Sequence, residues 1–389
     1  MTGYNFDAVH ERKGTHSIKW EFTPSGATDL LPMWVADMDF ECPPVVVQSV
    51  RERAAHGIYG YTGVSDDYRS SVVSWMKERH QWQIEPEWIV FINGIVPALN
   101  MLMQAFAKPG DFIVIQPPVY YPFYNAINNN GQRPLLNLLI EDQGRYIMDY
   151  DDLEEKLKNP RTRMMLLCSP HNPGGRVWNA DELRRVAELC LKHDVLLISD
   201  EIHQDLVFQP NRHQITAKLS ETIDFNTITC TAPSKTFNLA GLQCSNIIIS
   251  DEKKRRQFVQ ALERNGVFGI NPFGSAATIA AYNHGAPWVD ELMVYLQGNL
   301  DVIDAFIKKE MPSVTLMKPE GTYLAWMDFR KLGLHQNGLE QLIEQKAKVA
   351  LNQGYIFGET GSGFQRLNFA CPRSLLVEGL ERIASAVRG

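Results

Sequence analysis

Residues 195–203 read VLLISDEIH. Val195–Ser199 form an unbroken β-prone run that stops on Asp200 and Glu201. Apolar residues at successive positions suit a strand covered on both faces, as in a parallel sheet. The residues after it, Asp200-Glu201-Ile202-His203, then lie beyond a strand's carboxyl end, where open α/β sheets bind their ligands.

The same pattern recurs on either side. From about residue 89 to 285, short β-branched runs alternate with amphipathic helical ones. Strands are expected at Ile89–Ile92, Asp111–Gln116, Arg133–Leu139, Arg163–Cys168, Val195–Ser199, Thr227–Thr231 and Asn246–Ser250. The clearest helix is Asp181–His193, whose residues Leu183, Val186, Ala187, Leu189 and Cys190 make one apolar stripe. Alternation of this kind predicts βαβ units, hence a three-layer α/β fold with a mostly parallel sheet. The ends differ: residues 1–44 are loop-rich and aromatic, and from 286 a long helical pattern (Trp288–Glu310) leads to Thr322–Asp328 and a terminal helix, Ser374–Val387. These features predict a large domain over 45–285, and a smaller α+β domain from 286–389 to which the segment 1–44 returns. No internal repeat or low-complexity tract is present.

Composition sets limits. The chain has 389 residues, 44% hydrophobic and 21% charged, with a net charge of −7. A chain this long buries roughly three-quarters of its unfolded surface and needs no disulfide or metal staple. Net negative charge argues against nucleic-acid or anionic-membrane partners. The one basic run, Lys253-Lys254-Arg255-Arg256, opens a predicted helix and reads as a solvated face. Six scattered cysteines form no C-x-x-C pair, and ten histidines show no metal spacing. The N-terminus, MTGYNFDAVHERKGTHSIKW, lacks an apolar core, and no run reaches the ~18 apolar residues of a membrane span. The expected protein is soluble and cytoplasmic.

Four other strands deliver polar residues to the same rim as Asp200. Strand 163–168 runs into Ser169-Pro170-His171-Asn172-Pro173-Gly174-Gly175, and 227–231 into Pro233-Ser234-Lys235. Strand 111–116 leads to Tyr120 and Tyr121, and Ile92 to Asn93-Gly94. Each is an ordinary loop residue alone; their convergence is what carries meaning. Gly94-Ile95-Val96 opens a helix, whose free N–H groups and dipole favour a phosphate. Asp200 can keep a ring nitrogen protonated. Tyr120 can lie on an aromatic ring, and Asn172 can donate to a phenolate. Lys235 can form a Schiff base once desolvation lowers its pKa. Together these are the parts of pyridoxal 5′-phosphate. No G-x-G-x-x-G or G-x-x-x-x-G-K-[ST] follows a strand, so a nucleotide binder lacks support.

The segments CSPHNPGGRVW (168–178), LLISDEIHQDL (196–206) and TAPSKTFNLAGL (231–242) resemble, in order and spacing, the fold-type I pyridoxal-phosphate enzymes of the class I/II aminotransferase superfamily. More narrowly, LPMWVADMDF (31–40), HGIYGYTG (56–63), PPVYYPFY (117–124) and APSKTFN resemble the PatB/MalY-type cystathionine β-lyases, or C–S lyases. The resemblance implies that Lys235 carries the cofactor and that Asp200 pairs with its pyridine nitrogen. Asn172 would meet the 3′-oxygen and Tyr120 would stack on the ring. The phosphate would take the amides of the Gly94-Ile95-Val96 turn and the Ser234 hydroxyl. Tyr61 would reach the cofactor of a neighbouring subunit, which implies a homodimer. Arg366, in GFQRLNFACP, would clamp the substrate carboxylate, with the Ala36 backbone and the Tyr121 hydroxyl completing that pocket.

Two positions depart from the wider aminotransferase pattern. His203 stands where many of those enzymes carry tyrosine near the cofactor, and Gln243 where many carry a phosphate-binding arginine. Both lean toward the lyase subgroup. The implied reaction is elimination on an L-cysteine thioether such as L-cystathionine, with Lys235 as base, releasing a thiol (homocysteine), pyruvate and ammonia. The alternative on this scaffold is an aminotransferase acting on an L-amino acid. A fold retained only for binding or regulation is the third reading.

Overall fold

The computed structural model describes residues 3–23 and 26–389; residues 1, 2, 24 and 25 of the N-terminal segment lie outside the described residues. The run that opens the sequence reading forms the strand Leu196–Asp200. All five of its residues are buried, and it is the central strand of a seven-stranded sheet. Across the sheet the strands follow the order Ile89–Ile92, Ser245–Ile248, Thr227–Thr231, Leu196–Asp200, Thr162–Cys168, Phe112–Ile115, Arg133–Leu136.

Both faces of the sheet are covered, which is why its strands read as continuous apolar runs. Leu196 and Ile198 point to one side, into a core shared with Ala98, Leu99 and Leu102 of helix Ile95–Phe106 and Phe258 of helix Glu252–Arg264. Leu197 points to the other, onto Leu183, Val186 and Cys190 of helix Ala180–Lys192. That helix starts in a capping box: the Asn179 side chain accepts from the Asp181 and Glu182 amides, and Glu182 reaches back to the Asn179 N–H.

Two strands differ from their expected bounds. The run expected as Asn246–Ser250 forms Ser245–Ile248, which runs antiparallel to both its neighbours within the mostly parallel sheet. The connection from Thr231 holds only the one-turn helix Pro233–Thr236 and the short turn Ala240–Leu242, not a crossover helix, so the chain turns back at the same rim. The run expected as Arg133–Leu139 ends at Leu136. It is followed by a hairpin, Ile140–Asp142 with Arg145–Ile147, closed at Gln143 (φ 48°) and Gly144 (φ 77°), a pair of positive φ values that suits a tight hairpin turn.

A second, antiparallel sheet is built from Thr315–Met317, Leu324–Asp328, Phe364–Asn368 and Asn352–Gln353. The N-terminal stretch joins this end of the molecule, because Leu31–Pro32 pairs in parallel with Val349–Ala350. Helices Ala286–Glu310 and Arg373–Arg388 pack beside it. Among the described residues no helix is long and apolar enough to cross a membrane, no group of three or more acidic, histidine or cysteine side chains could hold a metal, and all six cysteines are unpaired.

Candidate active site

Six of the seven strands run in one direction, so their carboxyl ends share a rim, and the reversed strand begins there at Ser245. A cavity of about 340 Å³ lies on that rim. It is lined by the turn Gly94-Ile95-Val96, by Tyr120 and Tyr121, by Asn172, Asp200 and His203, and by Ser234, Lys235, Ala36 and Arg366. Every site residue expected from the sequence except Tyr61 therefore meets at one place. Tyr61 is fully exposed on the same chain and lines an adjoining cavity that shares Asn93 and Gln243 with the first.

Gly94 makes the turn into helix Ile95–Phe106 at φ 110°, a backbone conformation that side-chain-bearing residues rarely adopt. Asp200 is the last residue of the central strand. Its carboxylate accepts from the Ile202 amide at 3.3 Å, and among the described residues no cation lies within salt-bridge distance. Burial pushes this carboxyl up to about 7. Lys235 sits on the one-turn helix Pro233–Thr236 and donates through Nζ to the Ala36 carbonyl at 2.7 Å. Burial, then the nearby Arg366 charge, lowers its ammonium to about 8.

Arg366 comes from the second sheet, in the fully buried strand Phe364–Asn368. Its Nη1 donates to Asn172 Oδ1 at 2.9 Å, and its Nη2 donates to the Trp34 carbonyl at 3.0 Å and to Asn352 Oδ1. Nε is buried without a partner, and the guanidinium lies 4.9 Å from the centre of the Phe357 ring. Burial lowers Arg366 to about 10, so it stays charged at neutral pH. Because Asn172 spends its oxygen on Arg366, its amide N–H groups remain for another acceptor. His203 is buried with Nδ1 unpartnered and its ring edge-on to Tyr323. Burial, then the charges of Lys235 and Arg366, hold it well below its ordinary value and therefore neutral.

The irregular stretch 33–38 is held by donors at every carbonyl. Met33 O accepts from the Asn368 amide, Trp34 O from Arg366, and Val35 O and Asp37 O from Asn368 Nδ2. Ala36 O accepts from Lys235 and Tyr323, and Met38 O from Arg12 and Asn238. The Ala36 carbonyl is thus taken up by the lysine, which leaves only its N–H to face a carboxylate. Deeper still, Asp39 accepts from Lys19 at 2.5 Å, Arg12 at 2.7 Å and Trp20 at 2.8 Å.

These residues fit pyridoxal phosphate. A buried carboxylate without a cation suits a protonated ring nitrogen, and a half-buried amine lowered toward neutrality suits an aldehyde. The helix-opening turn, Ser234 and Gln243 line one part of the cavity, and among the described residues Lys235 and Arg366 are its only lining lysine and arginine. Sequence reading missed Tyr323, Asn352 and Trp34. Asn352 stands opposite Arg366 on a two-residue strand too short to carry a pattern, and Tyr323 lies in a stretch that resembles ordinary core. Trp34 lies in the motif 31–40 but meets the site through its backbone carbonyl, which no side-chain pattern reveals.

The family described as Aminotransferase class I and II matches residues 28–383. Among curated proteins, the chain is 47% identical to the cystathionine β-lyase PatB of Bacillus subtilis (strain 168), over 98% of this chain and 100% of that protein. It is 35% identical to the protein MalY of Escherichia coli (strain K12), over 99% of each. Among solved structures, cystalysin of Treponema denticola, which contains a pyridoxal 5′-phosphate cofactor, superposes with a TM-score of 0.96 at 37% identity, over 99% of both chains.

Proposed function

Because the chain belongs to the aminotransferase class I and II family and, within it, to the PatB/MalY-type cystathionine β-lyases, we propose that it is a pyridoxal-phosphate-dependent C–S lyase. It cleaves L-cystathionine and related L-cysteine thioethers to a thiol, pyruvate and ammonia. The observation that carries this reading is the single cavity in which the Lys235 amine, the Asp200 carboxylate and the Arg366 guanidinium converge.

The chemistry supplied by bound pyridoxal phosphate is delocalisation of negative charge from the substrate α-carbon. Asp200 would hold a negative charge for the pyridine nitrogen and keep it protonated. Asn172 would donate to the 3′-oxygen, Tyr120 would cover the ring, and the Gly94-Ile95-Val96 turn with Ser234 would receive the phosphate. Arg366 binds the α-carboxylate through its planar fork, with the Ala36 N–H and Tyr121 beside it. The free amine of Lys235, titrating near 8, is a base matched to neutral pH and takes the α-proton. Burial of the site keeps water from that proton. A thiolate leaves readily because thiols ionise near pH ~8.5.

Tyr61 belongs to the same reading. It stands fully exposed beside the exposed Ile58, Tyr59 and Phe268, an apolar ridge that supports a homodimer in which Tyr61 reaches the partner's phosphate site. Unpaired thiols at all six cysteines support a reducing, cytoplasmic setting.

The fate of the cofactor separates lyase from aminotransferase. With L-cystathionine as sole substrate and no keto acid, the lyase keeps its cofactor as pyridoxal phosphate through many turnovers. Conversion to pyridoxamine phosphate, with product limited to one equivalent of enzyme, would overturn the proposal.

A further inference from the structure

One oxygen in the site has two donors of different kinds. The Ala36 carbonyl accepts from Lys235 Nζ at 2.7 Å and from Tyr323 Oη at 2.9 Å. Tyr323 is fully buried just before the strand Leu324–Asp328 of the second sheet, and its hydroxyl reaches across to a stretch nearly three hundred positions earlier in the chain. The backbone that aims it is unusual. Thr322 is a buried, β-branched residue at φ 69°, held there by its N–H on the Leu206 carbonyl at 2.7 Å and by its hydroxyl accepting from the Leu324 amide at 3.1 Å. Such outliers persist only where surrounding contacts fix them, and they cluster at functional sites.

We propose that Tyr323 is a positioning residue for Lys235: its hydroxyl fixes the Ala36 carbonyl as the acceptor on which the free lysine amine docks, and takes part of that oxygen's accepting capacity. The inference rests on the assignment of Lys235 made above and deepens it. A carbonyl oxygen offers two lone pairs. With Tyr323 on one, the Lys235 ammonium has a weaker acceptor than an unshared carbonyl, which favours the neutral amine needed to take a proton. The charged groups facing Lys235 are Asp37, Asp200 and Arg366, with His203 held neutral. The hydrogen bond from the Tyr323 hydroxyl goes to none of them, so removing that hydroxyl alters the carbonyl and leaves their hydrogen bonds in place.

The test titrates Lys235 in the full chain stripped of cofactor. Competitive acylation is read by mass spectrometry of the peptide carrying residue 235, with the pyridoxal-phosphate-loaded protein as the protected control. Tyr323→Phe is expected to raise the apparent pKa of Lys235, so that its acylation at neutral pH falls about threefold or more, the effect of roughly half a pH unit. Tyr323→Leu, likewise without a donor, should raise it as much. Lys19, which is buried against Asp39, should keep its acylation yield unchanged. An unaltered or lowered Lys235 overturns the proposal, as does a rise in one variant only, which would point to packing. Lys19 and Lys235 becoming reactive together would mean general loosening and would also overturn it. Acylation of Lys235 in the loaded control would remove the role of Lys235 itself, and the proposal with it.

Discussion

At the scale of single residues, the site is defined by charges that the fold makes costly. Asp200 is buried and Lys235 half-buried, and among the described residues neither has a counter-charge in contact, so desolvation pushes each toward its neutral form. The consequences for stability have opposite signs. Asp200 titrates near 7 when folded and near 3.8 in an ordinary setting. The folded chain therefore binds the extra proton between those values, and stability without cofactor falls as pH rises through that window. Lys235 titrates near 8 when folded against 10.5 ordinarily, so the unfolded chain binds the extra proton there and stability recovers across that higher window. Calorimetry of the cofactor-free protein should find this dip centred between about pH 7 and 8. Asp200→Asn should abolish its acid side and stabilise the cofactor-free protein at neutral pH by about 2–4 kcal/mol. It should also weaken turnover in the loaded enzyme. A variant no more stable than the parent would mean that Asp200 is not held as a buried, unpaired carboxylate.

At the scale of elements, an irregular segment positions the site as firmly as the strands do. Residues 33–38 owe their shape to donors on every carbonyl, and Asp39 anchors them through Lys19, Arg12 and Trp20. Burial works against the Asp39 carboxylate, but Lys19 and these other donors outweigh it and hold the carboxyl below its ordinary value. Removing one partner from such a buried pair costs about 3–5 kcal/mol. Asp39→Ala is therefore expected to lower the denaturation free energy by that amount and to reduce activity through Ala36. Asp39→Ala with wild-type stability would show that the segment is held elsewhere. The same elements explain what could be read from the sequence. Leu196–Asp200 and Thr162–Cys168 were legible because burial on both faces leaves long apolar stretches, and Thr227–Thr231 because its residues are mostly β-branched. Lys235, Asp200 and Asn172 were legible because each stands at or just beyond such a strand's carboxyl end. The reversal of Ser245–Ile248 was not legible, since direction depends on what the connection lacks, not on the strand's own residues. Tyr323 acts on the irregular stretch 33–38 and Asn352 on the neighbouring strand, through one hydrogen bond each, which leaves no periodic trace.

At the scale of the whole molecule, the chain brings together every expected site residue but one. Tyr61 stands in solvent at the edge of an adjoining cavity, within an exposed aromatic ridge. Shared sites make a specific prediction. A Tyr61→Ala homodimer lacks the residue at both sites, and a Lys235→Ala homodimer lacks the base at both. Mixed and allowed to exchange subunits, the two variants form a heterodimer in which one site carries both lesions and the other neither. Activity should therefore rise on mixing above the sum of the separate variants. Activity that stays at that sum would place Tyr61 outside the neighbouring site.

The most direct measurement is the product yield from L-cystathionine as sole substrate, for the loaded wild-type protein and for Lys235→Ala. The wild type should release pyruvate and free thiol in equal amounts over many turnovers, and the variant should release neither. Thiol and pyruvate formation undiminished in Lys235→Ala, or none from the wild type without a keto acid, would contradict the assignment of this cavity as a C–S lyase site.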